Sequence, residues 1–142
     1  MIYVVTDIEA DGPWPGPNSM RSFASVAVTG DGEELGVFET VLEPLPGSAP
    51  NPDTYAWFQT HPEAWQAATE SPKPPAGEMA RFASWVKALP GPCVFTACPI
   101  TEVAPRHLPP EWLGNIEHTH RAIDDARGYA HLLGVLLRMS SR

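Results

Sequence analysis

The chain opens on an uninterrupted apolar run, Met1-Ile2-Tyr3-Val4-Val5. A run that short, without helical spacing, predicts a buried strand over Met1 to Thr6. A second strand is predicted over Ser22 to Thr29, where Phe23, Ser25 and Ala27 alternate with Ala24, Val26 and Val28, and a third over Glu34 to Leu42. Asp31-Gly32 between them is a hairpin signal. Asn51 or Asp53 is placed to cap a helix running through Thr60, with Tyr55, Phe58 and, as a third candidate, Trp57 turned inward. Pro75 to Leu89 carries Met79, Phe82, Val86 and Leu89 at spacings of three and four, which is an amphipathic helical pattern, and Pro90-Gly91 stops it. Val94 to Ala97 predicts a fourth strand. Thr119 to Met139 predicts a long helix with Ala122, Ala126, Tyr129, Leu133, Leu136 and Leu137 apolar. Three antiparallel strands, a crossover helix and a strand lying beside the first make an α/β domain with a mixed sheet.

Composition narrows this reading. The chain has 142 residues, 43% of them hydrophobic, which suits one core and a single domain over 1–142. A net charge of -8 argues against a broad phosphate-binding surface, because such surfaces work through Lys and Arg. Any nucleic-acid partner is therefore expected to be short, or held locally through metal ions. Most prolines fall in three stretches, Pro13 to Pro17, Pro44 to Pro52 and Pro72 to Pro75, where they punctuate elements without forming a low-complexity tract. Cys93 and Cys98 are five apart, so on one strand they face opposite ways; two reduced thiols are expected rather than a disulfide. No charged-then-apolar leader precedes Asp7 and no apolar run has membrane-spanning length, so the expectation is a cytoplasmic protein with no membrane partner.

The candidate chemistry lies at the two ends of the chain. Asp7 and Glu9 are two apart at the end of the first strand, so both carboxylates point to one side of the pleat. His120 and Asp125 are five apart where the last helix begins, close together but not on one stripe. Carboxylate oxygens suit hard Mg²⁺ or Mn²⁺ better than Cys or His would. Each residue also has a plain structural reading. An Asp-x-Glu pair is common on solvated loops, a histidine in a first helical turn is usually exposed, and Asp124 and Asp125 favour a helix N-terminus in any case. Asp11 reads as a solvated loop charge and His118 as a surface residue. Trp14, set among prolines and glycines, either stacks a base or packs over the core. Trp57 and Trp65 read as core.

Taken together, Asp7-x-Glu9 on the first strand and His120-x4-Asp125 at the last helix resemble the first and last motifs of the DEDD superfamily of 3′–5′ exonucleases, in the subclass whose last motif carries histidine. Thr54 to Trp65 and Gly91 to Ala97 are similar to stretches of small bacterial exonuclease-like proteins, though less specific. The resemblance implies a ribonuclease H-like mixed sheet flanked by helices. It implies Asp7, Glu9 and Asp125 as ligands of Mg²⁺ or Mn²⁺, with Asp7 bridging two ions, and His120 as general base. It also implies single-stranded nucleic-acid 3′ ends or short oligonucleotides as partners. The family's middle Asp has no counterpart, since no Asp lies between Asp53 and Asp124. Against the family pattern about 50 residues are absent, enough for an edge strand and two helices of ordinary length. Two consequences are expected: weak or undetectable hydrolysis unless Glu102 or another group substitutes, and an exposed sheet edge that a second subunit of a homodimer would cover. The alternative is a non-catalytic, exonuclease-derived domain that binds nucleotides or a partner.

Overall fold

In a computed structural model, residues 1–97 and 110–140 are described; Cys98 and Glu102 lie outside them. The opening apolar run forms β1 (Ile2–Ala10), followed by β2 (Met20–Thr29) and β3 (Glu34–Val41), with β4 (Cys93–Ala97) joining later. The sheet order is β3-β2-β1-β4. β1 pairs antiparallel with β2, β2 antiparallel with β3, and β1 parallel with β4. The Asp31-Gly32 hairpin forms as expected: Gly32 takes φ of 90° and its N–H bonds the Thr29 carbonyl.

Period-two alternation sends the two faces of β1 to different helices. Tyr3, Val5, Ala24, Val26 and Val28 pack against Ala122, Ile123, Ala126 and Ala130 of α4 (Ala122–Ser140). Ile2, Val4 and Ala27 face Phe82 and Trp85 of α3 (Pro75–Ala88) and Leu89 just beyond it, and Phe23 and Phe38 close the same side around Phe82. Covered on both faces, β2 is buried from Ser22 to Val28. Each such Val or Phe contributes about 1.5 to 3 kcal/mol by leaving water.

Several elements differ from the sequence expectation. β1 runs to Ala10 rather than Thr6 because β2 continues alongside it, so Asp7 and Glu9 sit inside a strand instead of beyond its end. In α3 the inward stripe includes Glu78, and Met79 is exposed. Glu78 can be buried because the Thr40 hydroxyl donates to it at 2.6 Å and Arg81 at 2.5 Å. Asn51 caps α1 (Pro52–Gln59), accepting from the N–H groups of Asp53 and Thr54. Only Phe58 of α1 is buried, while Tyr55 and Trp57 are exposed. Beyond the Thr60 end expected for α1, Pro62 starts a further helix, α2 (Pro62–Thr69), which the sequence analysis did not delimit. The last helix begins at Ala122, not Thr119, because His120 has φ of 56° and interrupts the backbone there.

Asp11 is not a solvated charge. It is 1% exposed. Its Oδ1 accepts from Ser19 N–H at 2.6 Å, and Oδ2 lies 3.5 Å from an Arg21 guanidinium nitrogen. The Asp11 N–H donates to the Ser19 carbonyl and Asn51 N–H to the Asp11 carbonyl, so this residue ties the Gly12–Pro17 loop to the start of α1. Gly12 is needed in that loop, because a Cβ there would overlap the Asn18 side chain. Asp11→Ala, which strands the mostly buried Arg21 cation, is expected to cost about 3 kcal/mol in urea unfolding. Lys87→Ala on the exposed face of α3 should stay within about 0.5 kcal/mol. An Asp11→Ala cost no larger than that of Lys87→Ala would show that the pair does not hold the loop.

Candidate metal centre

The centre lies where the sheet becomes asymmetric. Among the described residues the β1·β4 ladder reaches Thr6 opposite Ala97, whereas the β1·β2 ladder continues through Asp7 opposite Ala24 and Glu9 opposite Ser22. Asp7 and Glu9 thus follow Val5 on the α4 side of the sheet, flanked on β2 by small residues that leave space around the carboxylates. Asp125 reaches the same space from α4. It belongs to the helical stripe Ala122, Asp125, Ala126, Tyr129, Ala130, Leu133, whose apolar members pack on the sheet. Ligand oxygens of Asp7, Glu9 and Asp125 all lie within 4.8 Å of one another.

Three carboxylates this close, half-buried to buried, repel one another. Burial, then the charge of Asp125, pushes the Asp7 carboxyl up to about 7, with nearby His118 pulling the other way. Burial, then Asp7 and Asp125, pushes Glu9 up to about 8. This donor set fits a hard divalent cation, since all three groups offer oxygens and a bound dication would favour the ionised form of Asp7 and Glu9.

Three histidines border the carboxylates. His118 is exposed, as expected, yet its Nδ1 lies 2.7 Å from Asp125 Oδ1. That bond holds its pKa above the usual histidine value. His120 sits one ring further out, 4.2 Å from the His118 ring. Burial and the neighbouring His118 push its pKa down, which keeps the imidazole neutral. Trp57 completes the wall, 38% exposed, edge-on to His120 at 4.7 Å and stacked on His61 at 4.1 Å. Trp14 is 68% exposed on the pinned loop rather than packed over the core. Sequence spacing missed the His118–Asp125 pair, seven residues apart across a non-helical stretch. It also missed Trp57 with His61, for which an i, i+4 spacing at the end of α1 was the available signal.

No protein-family model matches the chain, and no curated protein matches it. A solved structure does, that of cell-death related nuclease 4 (CRN-4), with a TM-score of 0.68 at 14% identity. The two chains share a fold. The match covers 97% of this chain and 64% of that one, so this chain spans about two thirds of the nuclease's length. Together with the mixed four-stranded sheet and its flanking helices, the likeness agrees with the ribonuclease H-like fold. Among the described residues no helix is long and apolar enough to cross a membrane.

The raised carboxyls have a measurable consequence. Unfolded, Asp7 and Glu9 titrate near 3.8 and 4.5; folded, near 7 and 8. Between those limits the folded chain binds more protons, so these two groups contribute stability at low pH that is lost as pH rises from about 4 to about 8. In chelator-treated protein the Tm advantage of Asp7→Asn/Glu9→Gln over wild type should therefore grow between about pH 5 and pH 8, and Mn²⁺ should raise the wild-type Tm most at the upper end. An advantage independent of pH would mean the two carboxyls are not raised.

Proposed function

We propose that the chain is a metal-dependent 3′–5′ exonuclease of single-stranded DNA or RNA ends, with activity reduced by the lack of the family's middle Asp. The observation that carries this reading is the convergence of Asp7, Glu9 and Asp125 from β1 and α4. The fold likeness to a nuclease supports it. Asp7, Glu9 and Asp125 would hold Mg²⁺ or Mn²⁺, which supplies positive charge to the phosphoryl oxygens and to the attacking water. His120 accepts the water's proton on a neutral ring nitrogen as the water oxygen bonds to phosphorus. The 3′ oxygen of the penultimate nucleotide leaves and takes up a proton from solvent, releasing a nucleoside 5′-monophosphate. Trp57 offers its exposed indole to the terminal base beside His120. Stacking of that kind needs no particular base and no basic surface, which is consistent with the net charge of -8.

The test uses a 5′-labelled single-stranded oligonucleotide and the purified 142-residue chain. The expected result is slow, Mn²⁺-dependent shortening from the 3′ end, abolished by chelator and by Asp7→Asn, and lowered by about 10² or more in His120→Ala. Trp57→Ala should raise KM roughly 5- to 150-fold, the equivalent of about 1 to 3 kcal/mol of stacking, with little change in kcat. No metal-dependent shortening, or shortening from the 5′ end, overturns the reading. Rapid Mg²⁺-dependent release lost in His120→Ala would instead show that another group replaces the absent Asp.

A further inference from the structure

Asp125 is the one member of the carboxylate cluster that bonds to another side chain among the described residues, and that side chain is His118. We infer that His118 is a positioning residue for Asp125: its Nδ1–H occupies Oδ1 and thereby aims Oδ2 at the cation space shared with Asp7 and Glu9. The inference rests on the metal reading above and adds a residue to which the family resemblance gives no role.

The geometry favours it for three reasons. A carboxylate in a cluster of three like charges lowers its energy by rotating away from the other two, so an outside donor is needed to hold it in place. The 2.7 Å contact to a 3%-exposed Asp125 side chain is of the short, charge-assisted kind that can do this. The adjacent carboxylate, Asp124, is turned to a different donor, Thr119 Oγ1, at 2.7 Å. The imidazole plane of His118 is itself supported. The His120 ring stands at 71° to it, and His120 rests in turn on Trp57 and His61. Groups that bond metal-ligating carboxylates set ligand orientation, and their loss typically weakens metal binding by about 10- to 100-fold.

The experiment is an electron paramagnetic resonance titration of the full chain with Mn²⁺ alone, alongside thermal melts to check folding. His118→Ala should weaken Mn²⁺ binding about tenfold or more. His118→Asn, whose amide nitrogen takes the place of Nδ1, should recover most of the loss. Lys87→Ala, on the exposed face of α3 and away from the cluster, should bind as wild type does. Wild-type affinity in His118→Ala overturns the inference while leaving the metal centre standing. An Asn variant as weak as the Ala variant also overturns it, since bulk and not the donor would then be at work. If His118→Ala fails to fold, the folded Asn variant still decides: wild-type affinity supports the donor role and a loss sinks it. Absence of Mn²⁺ binding in the wild type would sink the metal reading itself, and the inference with it.

Discussion

Alanines at 122, 126 and 130 let α4 lie directly against Val5, Ala24 and Val26, and the closeness of that contact brings Asp125 to Asp7 and Glu9. Larger residues on this stripe would lift the helix off the sheet, because packed interiors do not absorb extra methylenes without displacement. The same contact explains why the carboxylates occur where they do. Among the described residues β4 pairs with β1 only as far as Thr6, while β2 continues alongside β1, and the N-terminal end of α4 packs by that part of the strand. A packing interaction among small apolar side chains thus sets the geometry of a charged site.

That geometry is costly for the protein by itself. Burial, then the neighbouring carboxylates, push Asp7 up to about 7 and Glu9 up to about 8, so protons stay on them near neutrality. A structural role does not account for such an arrangement, since two Asn or Gln residues would fill the same volume without repulsion. Two buried carboxylates elsewhere sit beside counter-charges: Glu78 bonds Thr40 and Arg81, and Asp11 accepts from Ser19 N–H while its other oxygen faces the Arg21 guanidinium at 3.5 Å. The contrast between charge-paired carboxylates in the framework and crowded ones at the sheet corner is the electrostatic basis of the proposed cation site.

Much of this was legible beforehand, for identifiable reasons. The strands, the hairpin, the α3 span and the shared face of Asp7 and Glu9 follow from short-range periodicity and turn chemistry, which act within a few residues. The convergence of Asp125 with them came from motif resemblance rather than spacing, although its place on α4's apolar stripe is visible once the helix is drawn. Burial of Asp11 and Glu78 was missed because it depends on partners brought in from other elements, Arg21 on β2 and Thr40 on β3. Trp57 was misplaced because α1 is eight residues long with aromatic side chains on more than one face, so periodicity cannot choose the buried one. The start of α4 was set three residues early because helical propensity does not register a residue such as His120 held at positive φ.

The absent middle Asp also bears on charge balance. Three carboxylates around one divalent ion leave the cluster at a net charge of about -1, which a neighbouring imidazolium can offset. Two ions would turn the same three ligands net positive and leave the second without a dedicated carboxylate among the described residues, so the ligand set favours single occupancy. His118 fits that arrangement: it adds a cation-capable group next to Asp125, on the side where the ligand set is already complete. A fourth carboxylate would relieve the excess positive charge of a doubly occupied site; with three in the cluster among the described residues, the proposed site is weighted toward one ion.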